Sequence, residues 1–375
     1  MRARPAVLLV LALVATLLAA TQARAAAFRV EVVATGLDHP WEVAVLPSGD
    51  LLVTQRDRSR LTLVDPGSGA KRDLAFPSAQ VWNRGETGLL GLAVDPAFAT
   101  NRRIYTCSGW RADDGSHDIR VNAWTLDAAL TTATLAGPLV TGLPPSRTGQ
   151  HGGCRLLVAA DGSLLVGTGD AKRSRLPQRR GSLGGKVLRL DRLTGAPDPR
   201  NPWADRSGKR RYVLTFGHRN VQGLAQRTDG TLWSVEHGTD RDDEINLLHP
   251  GRNYGWNPGP GYDESRPMTD HRLPGRQYTA RWRSGFPTIA PSGAAFVTGP
   301  AWGRFDGCLA VAVLKGRRLM FVRLDDRGRV RWTRAPRALR GHGRLRDVTA
   351  APDGSLLVTT DNGGGRDVVV RVRPA

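Results

Sequence analysis

The feature that most constrains the fold is a short motif that occurs four times along the chain. In each copy a turn dipeptide ending or beginning in Gly is followed by a short apolar run of β-strand character. Gly tolerates the positive φ that tight hairpin turns require, so each copy predicts two neighbouring antiparallel strands of one sheet. The copies are Pro47-Ser-Gly-Asp-Leu-Leu-Val-Thr54, Ala160-Asp-Gly-Ser-Leu-Leu-Val-Gly167, Thr228-Asp-Gly-Thr-Leu-Trp-Ser-Val235 and Pro352-Asp-Gly-Ser-Leu-Leu-Val-Thr359.

The spacing of the motif indicates a repeat. The turn glycines stand at positions 49, 162, 230 and 354, so successive turns are 113, 68 and 124 residues apart. These intervals resemble two, one and two units of about 60 residues, and the chain has room for about six such units. No segment shows the sustained apolar periodicity of a long amphipathic helix. The pattern favours an all-β propeller, although a sandwich pair or a barrel would carry the same hairpins.

The N-terminus has the pattern of an export signal. Arg2 and Arg4 precede an apolar run from residue 6 to 20, and Ala23-Arg24-Ala25 fits the small-x-small cleavage rule. We therefore expect a signal peptide over residues 1–25, cleavage near Ala25, one domain over residues 26–375, and a periplasmic or secreted protein. The apolar run is shorter than the roughly 20 residues of a spanning helix, so the protein is predicted not to span a membrane. A retained N-terminal anchor is the competing interpretation.

The charge distribution and the cysteine content argue against nucleic-acid binding, a zinc site and a disulfide framework. The formal net charge is +20, but nearly all of it is arginine scattered among Asp and Gly, which argues against nucleic-acid binding. A basic face would instead steer an anionic cofactor or an acidic redox partner. The three cysteines, Cys107, Cys154 and Cys308, leave at least one thiol unpaired and form no zinc-binding spacing, which argues against a disulfide framework.

Two polar residues bracket one predicted hairpin. His151 precedes two glycines before a strand, and Asp170 closes the next strand, so the hairpin brings them together. A histidine with a carboxylate on its other ring nitrogen is a base in a fixed tautomer. By pattern alone, a structural histidine in a turn is the more common alternative.

Other candidates are cationic or acidic. Arg219 and Asn220 follow an apolar strand and would contact a carboxylate or an oxyanion, unless Arg219 forms a salt bridge. Arg344 and Arg346 lie on one face of an extended strand, which favours a multiply charged anion between them. Lys315 ends a buried-looking strand. The acidic run Asp240, Asp242, Asp243 and Glu244 supplies oxygen ligands of the kind that Ca²⁺ prefers, or forms a solvated turn.

Together these stretches resemble the soluble pyrroloquinoline quinone (PQQ) dependent sugar dehydrogenases, the glucose/sorbosone and aldose sugar dehydrogenase family. The resemblance covers nearly all of the chain beyond the signal, in order. It rests on Gly36-Leu-Asp-His-Pro-Trp41, Gly88-Leu-Leu-Gly-Leu92, the stretch from His151 to Asp170, Gly217-His-Arg-Asn-Val-Gln-Gly223, Asp242-Asp-Glu-Ile-Asn246, Asn253-Tyr-Gly-Trp256, Ala290-Pro-Ser292, Leu314-Lys-Gly316 and Arg344-Leu-Arg-Asp347.

The resemblance implies a six-bladed β-propeller with four-stranded antiparallel blades that binds PQQ and Ca²⁺. It implies an enzyme that oxidises an aldose at C1 to the lactone and passes electrons to an external acceptor, as a monomer or homodimer. By its matching motifs, the resemblance implies that His151 is the base, Asp170 its orienting partner and Arg219 the group that stabilises the reduced quinone oxygen. It implies further PQQ contacts from Asn220, Lys315, Arg344 and Arg346. It also implies that the carbonyls of Gly238 and Thr239 bind the catalytic Ca²⁺ and that Glu244 and Tyr254 belong to a second calcium site.

Three positions depart from the family pattern. Glu86 stands where members often have Gln, and Gln150 replaces the acid that can precede the base, so the sugar preference is open. Thr239 stands where the glucose enzymes have Pro. Two other functions compete with the dehydrogenase: a Ca²⁺-dependent propeller lactonase, which needs several carboxylate or amide ligands on the axis, and a non-catalytic propeller that binds a glycan or a protein.

Overall fold

The computed structural model describes residues 28–375, and these form a six-bladed β-propeller. Its 24 strands make six separate four-stranded antiparallel sheets, as the repeat spacing and the resemblance predicted. The predicted signal peptide and its cleavage near Ala25 lie outside the described residues. Within residues 28–375, no helix has the length and apolar character needed to cross a membrane.

The strands are numbered in chain order and the blades from the N-terminus. Blade 1 holds β2 Pro40–Val45, β3 Leu51–Gln55, β4 Arg60–Val64 and β5 Lys71–Asp73; blade 2 holds β6 Leu89–Val94, β7 Arg103–Arg111, β8 His117–Leu126 and β9 Ala133–Leu143; blade 3 holds β10 Gly153–Val158, β11 Ser163–Thr168, β12 Lys186–Asp191 and β13 Val213–Phe216. Blade 4 holds β14 Val221–Gln226, β15 Leu232–Glu236, β16 Glu244–Leu248 and β17 Trp282–Arg283; blade 5 holds β18 Pro291–Phe296, β19 Leu309–Val313, β20 Arg318–Leu324 and β21 Val330–Arg334; blade 6 holds β22 Leu345–Ala350, β23 Leu356–Thr360, β24 Asp367–Pro374 and β1 Phe28–Leu37. The short helices are α1 Phe98–Asn101 and four 3-10 turns, Ser78–Gln80, Gly208–Tyr212, Pro300–Phe305 and Arg337–Leu339.

The ring closes by pairing the two ends of the described chain. Strand β1 adds to the outer edge of blade 6 beside β24, with Phe28 opposite Pro374. The first strands of successive blades, β2, β6, β10, β14, β18 and β22, contact one another around the axis and form the wall of a central channel. Closure leaves no unpaired edge between the first and last blades.

The four predicted hairpins each join the innermost strand of a blade to the second strand. Their turn glycines all have positive φ, from 76° at Gly354 to 92° at Gly49. They occupy blades 1, 3, 4 and 6, which explains the spacing of two, one and two units. Blades 2 and 5 replace the tight turn with α1 and with the Pro300–Phe305 turn, so the motif is absent there.

The core lies between blades rather than in one central cluster. Every residue of β3, β11, β19 and β23 is buried, because each of these second strands is covered on both faces by neighbouring blades. Such strands read as continuous apolar runs instead of alternating ones. The propeller is therefore held by face-to-face packing of adjacent sheets.

The cysteine prediction needs correction. Cys107 on β7 and Cys154 on β10 form a disulfide with a Cα–Cα separation of 5.5 Å, which links blades 2 and 3. Cys308 is a buried free thiol, as an odd count requires. The pairing was not predicted because the two cysteines are 47 positions apart in sequence, and only the packing of neighbouring blades brings their strands together.

Candidate active site

The candidate site lies at the end of the channel where the six inner strands begin, called the mouth below. Here the connections that precede inner strands meet the connections between second and third strands of each blade. Two adjoining cavities of about 230 and about 280 Å³ open there, and both are lined by Glu86, His237 and Ala290. Together they fall in the usual size range of ligand pockets, about 300–1,000 Å³.

His151 is placed by the connection between β9 and β10. Its φ is 56°, and its backbone N–H donates to Glu86 Oε2 at 3.0 Å. Gly149 is needed beside it, because a Cβ there would collide with the carbonyl oxygen of Arg84. This close approach of two connections holds the imidazole at the cavity wall.

Asp170 contacts the imidazole of His151, as the predicted hairpin required. Its Oδ1 lies 2.9 Å from His151 Nδ1, and its Oδ2 accepts hydrogen bonds from Trp256 Nε1 at 2.7 Å and from the Tyr262 hydroxyl at 2.6 Å. A carboxylate only accepts, so Nδ1 carries the hydrogen and Nε2 is the proton-accepting nitrogen. Within residues 28–375, no hydrogen-bond partner faces Nε2. Sequence reasoning assigned no role to Tyr262 or Trp256, although Trp256 belongs to a motif of the resemblance.

Arg219 lies across the same cavity from the connection between β13 and β14. Its guanidinium donates to Glu264 Oε1 at 2.6 Å and to the His237 carbonyl at 3.3 Å, so the salt bridge considered from sequence is present. Although burial opposes ionisation, the hydrogen bond from Arg219 holds the pKa of the Glu264 carboxyl below its usual value. Arg219 Nε is buried and has no partner in the described chain. Asn220 is buried beside it and accepts at Oδ1 from the Gly153 N–H at 3.1 Å.

His237 separates the two cavities and was missed as a site residue. Burial, followed by the charges of Arg346 and Arg219, lowers the pKa of His237 to about 3, so the ring is neutral at physiological pH. Its Nε2 is buried without a partner among residues 28–375. A buried unsatisfied nitrogen beside a cavity indicates a place for a ligand atom.

Arg344 and Arg346 share one face, as predicted, but the anion that joins them belongs to the protein. Asp361 Oδ2 lies 2.7 Å from Arg346 Nη2 and 3.7 Å from Arg344 Nη2. Asp361 therefore offsets part of the repulsion from which a multiply charged anion was predicted. Asp361 also lies 2.6 Å from His39 Nδ1, and this hydrogen bond raises the pKa of His39.

The cavity nevertheless remains strongly cationic. Arg56, Arg344 and Arg346 all line it, and Arg346 Nε is buried without a partner within residues 28–375. Lys315 differs from the other predicted contacts because it is exposed. Its Nζ lies 3.5 Å from Thr288 Oγ1, at the edge of the second cavity.

Gly238 and Thr239 line the second cavity with His151 and Arg219. Neither carbonyl oxygen accepts a hydrogen bond from residues 28–375, so both oxygens are available as ligands for a hard cation such as Ca²⁺. Asp243 of the acidic run lines the same cavity, but its carboxylate is already hydrogen-bonded to the protein. Asp243 accepts from the N–H groups of Gly238, Ile289 and Ala290 at 2.9, 2.6 and 2.9 Å, which uses it as a structural brace.

The residues of the predicted second calcium site lie deeper in blade 4. Glu244 Oε1 is buried without a hydrogen-bond partner in the described chain, and so is Asn246 Oδ1. Burial, reinforced by the charge of Glu236, raises the pKa of Glu244 well above its usual value. The Tyr254 hydroxyl donates to the Leu247 carbonyl at 2.6 Å, which leaves only its backbone carbonyl as a ligand. This site stays a prediction.

The channel centre does not offer the ligands of a hydrolytic calcium site. Arg155 fills it, with Nη1 at 2.9 Å from Glu42 and 2.8 Å from Asp347. Burial raises the pKa of the Glu42 carboxyl to about 8, although Arg155 opposes that rise. No cluster of three or more His, Cys, Asp or Glu side chains suited to a metal occurs within residues 28–375. The two carboxylates at the channel centre are thus paired with an arginine, which disfavours the lactonase alternative.

Comparison with known proteins decides the family. The family model of glucose / sorbosone dehydrogenases matches residues 37–371. The chain belongs to this family. It is 31% identical over 93% of its length to the aldose sugar dehydrogenase YliI of Escherichia coli, and the match covers 94% of that protein.

Solved structures agree with this assignment. A putative glucose dehydrogenase of Thermus thermophilus is 36% identical, with a TM-score of 0.78 over 92% of this chain and 100% of the other. The PQQ-bound aldose sugar dehydrogenase of Streptomyces coelicolor is 33% identical, with a TM-score of 0.76 over 93% of this chain and 98% of the other. The protein is thus a sugar dehydrogenase of the glucose/sorbosone family, an oxidoreductase, and the predicted PQQ cofactor has a structural counterpart among its relatives.

Proposed function

We propose that this dehydrogenase oxidises an aldose at C1 to the lactone, with His151 Nε2 accepting the proton of the anomeric hydroxyl, and passes the electrons to an external acceptor. The observation that supports this most directly is the His151–Asp170 pair at 2.9 Å, which leaves Nε2 as an acceptor in a cavity shared with Arg219. A glycan-binding propeller without catalysis would have no need for a base held in one tautomer by a buried carboxylate.

The residues at the mouth fit PQQ and Ca²⁺. PQQ is a tricarboxylate, and the first cavity is lined by Arg56, Arg344 and Arg346. The buried Nε atoms of Arg219 and Arg346 and the Nε2 of His237 lack partners in the described chain, so ligand oxygens would satisfy them. Asn220 and Lys315 would add contacts at the edges. The carbonyls of Gly238 and Thr239 would hold the calcium ion.

The chemistry divides between cofactor and protein. PQQ, when bound, supplies the two-electron acceptor for the hydride of C1. His151 takes the hydroxyl proton at Nε2, and Asp170 stabilises the resulting imidazolium through Nδ1–H. Arg219 would supply positive charge beside the bound quinone, where it favours a developing negative charge. Glu86, exposed and lining both cavities, would contact sugar hydroxyls, and Gln150 lies beside it.

The test starts from purified protein without cofactor. PQQ added with Ca²⁺ should give a saturable spectral change, and aldoses should then reduce a dye acceptor. His151→Ala should lower turnover by several orders of magnitude with PQQ affinity unchanged. His271→Ala, an exposed histidine that lines neither mouth cavity, is the matched control and should keep full activity. Absence of PQQ binding would end the quinoprotein proposal, and a fully active His151→Ala would remove the base.

Export of the protein and a monomeric or homodimeric state also remain proposals. A panel of aldoses with wild type and Glu86→Gln identifies the sugar. If Glu86 contacts the substrate, the variant should change relative KM values among sugars and leave PQQ affinity unchanged.

A further inference from the structure

One stretch at the mouth carries positive charge that the proposed reaction does not use. Residues 171–185, called the basic lip below, connect β11 to β12 beside the base and contain five Lys or Arg residues and no acid. Lys172 lies 3.7 Å from Glu264, and Arg180 stacks over Trp203 with 5.5 Å between guanidinium carbon and ring centre. The exposed side chains of Arg173, Arg175 and Arg179 have no carboxylate within ion-pair distance in residues 28–375.

These three arginines are not placed to hold the cofactor or the sugar. Neither mouth cavity includes them in its lining, whereas Arg56, Arg344 and Arg346 line the first cavity. Their like charges repel one another within one short connection, and no internal carboxylate offsets this, in contrast to Asp361 beneath the cavity arginines. Uncompensated charge on a protein surface favours a partner of opposite sign.

The basic lip is also a rigid surface. Lys186 is fully buried beneath it, and its Nζ donates to the carbonyls of Leu176, Pro177 and Gly184 at 2.7, 3.0 and 2.6 Å. The Gly217 N–H donates to the Pro177 carbonyl at 3.0 Å, which ties the lip to the connection that carries Arg219. A connection held in this way loses little conformational freedom when a partner binds.

A second, independent feature of the mouth is an exposed aromatic ring. Phe286 is 74% exposed, the most exposed large apolar side chain of the described residues. It lies in the connection between β17 and β18, where Thr288 two residues later lines the same cavity as Lys172. The Asp242 N–H donates to the Gly285 carbonyl at 2.9 Å and braces this connection. Aromatic and arginine residues together are typical of protein-protein interfaces.

We propose that the basic lip (Arg173, Arg175, Arg179) and Phe286 form the docking surface for an acidic electron-acceptor protein, which binds over the mouth. This rests on the proposed function, because a reduced cofactor in the mouth must lose two electrons to an external oxidant before the next turnover. A redox protein held at the lip would bring its centre over the cavity opening. Arginine charge would steer the encounter, and the Phe286 ring would supply apolar contact.

The test compares acceptors of different charge. The reconstituted enzyme, at saturating aldose, reduces a cytochrome of acidic isoelectric point, a cytochrome of basic isoelectric point, or a small dye. We expect the rate constant for the acidic cytochrome to exceed that for the basic one at low salt and to fall by about tenfold as salt rises, because ions screen exposed charges. The dye rate should change little with salt.

The variants locate the surface. The triple variant Arg173→Gln, Arg175→Gln, Arg179→Gln should slow reduction of the acidic cytochrome about tenfold at low salt and remove most of its salt dependence. The matched control, Arg102→Gln, Arg304→Gln, Arg327→Gln, changes three exposed arginines in connections at the opposite end of the channel and should behave like wild type. Phe286→Ala should weaken calorimetric binding of the acidic cytochrome and leave the KM for sugar unchanged.

Each other result counts against the proposal. If both triple variants slowed reduction of the acidic cytochrome equally, the rate would depend on the net charge of the protein and not on the position of the three lip arginines. A raised sugar KM in Phe286→Ala would assign the ring to the substrate. A lip variant that loses binding to vesicles of anionic lipid, with cytochrome reduction unchanged, would make the lip a membrane contact. Failure of the proposed function itself is distinguishable, because dye reduction would then be absent in wild type.

Discussion

Replacing Asp170 with Asn tests how the base is held. The carboxylate accepts from His151 Nδ1, Trp256 Nε1 and the Tyr262 hydroxyl in a fully buried setting. An amide of the same shape loses a charge-assisted hydrogen bond worth about 1.5–3 kcal/mol, and its NH₂ group faces a buried donor at a further cost of about 1–3 kcal/mol. At about 1.4 kcal/mol per tenfold, kcat/KM should fall by about 10² to 10⁴.

The assay is dye-linked aldose oxidation at saturating PQQ and Ca²⁺, with PQQ affinity measured by spectral titration. The matched variant Tyr262→Phe removes one charge-assisted hydrogen bond and keeps the carboxylate, so kcat/KM should fall by no more than about 10- to 100-fold and by less than in Asp170→Asn. Normal PQQ binding in both variants shows that the site is intact. The reasoning fails if Asp170→Asn loses less than tenfold with PQQ bound, or if Tyr262→Phe loses as much as Asp170→Asn.

Three further predictions concern stability and cofactor binding. Replacing both Cys107 and Cys154 with Ala opens a bridge across 47 residues and should lower the free energy of unfolding in urea by about 4 kcal/mol; a loss below about 1 kcal/mol would contradict the loop-entropy argument. Because the hydrogen bond to Asp361 raises the pKa of His39 above 6.5, the pair should stabilise fully below about pH 6.5 and lose its contribution as pH rises through the raised pKa. In the variant His39→Gln, Tm should no longer fall as pH rises through the raised pKa of His39. An unchanged profile of Tm against pH would show that the His39–Asp361 pair does not cause this dependence. Arg346→Gln should weaken PQQ binding by about 10- to 100-fold in a spectral titration, since a charge-assisted hydrogen bond contributes about 1.5–3 kcal/mol, and unaltered affinity would place the cofactor away from this arginine.

Short sequence segments were enough to predict many of the β-hairpins of the fold. Hairpin turns depend on a few adjacent residues, so each of the turns at Gly49, Gly162, Gly230 and Gly354 can be predicted from its own short segment. The spacing of these turns indicates the number of repeat units. Blades 2 and 5 carry no such turn and became visible only through the regular gaps. The strand that completes blade 6 could not be foreseen from pattern, because β1 pairs with β24 at the far end of the chain.

Part of the site could be predicted from the sequence, because some of its contacts are also local. His151 and Asp170 belong to one hairpin, so their contact follows from local folding, and the motifs of the family supplied Arg219 and Arg346. Tyr262 and His237 act through contacts between connections of different blades, and nothing in their neighbouring residues marks them. Asp361 contacts Arg346 across one hairpin of blade 6, which is a local contact like that of His151 with Asp170, but the sequence argument did not use it. The pairing of Asp361 with both cavity arginines shows that a residue of the protein offsets part of the repulsion from which a multiply charged ligand was inferred.

The sequence by itself determined the β-hairpin units, their approximate number and the chemistry of the base and its partner, because these depend on residues close together in the chain. Only the tertiary structure decided which charges are compensated. Arg344 and Arg346 share Asp361, whereas Arg173, Arg175 and Arg179 lack a carboxylate partner within residues 28–375. Asp361 reaches both cavity arginines across the hairpin of blade 6, whereas no carboxylate of the described residues reaches the three lip arginines, and electrostatic compensation depends on these distances in space.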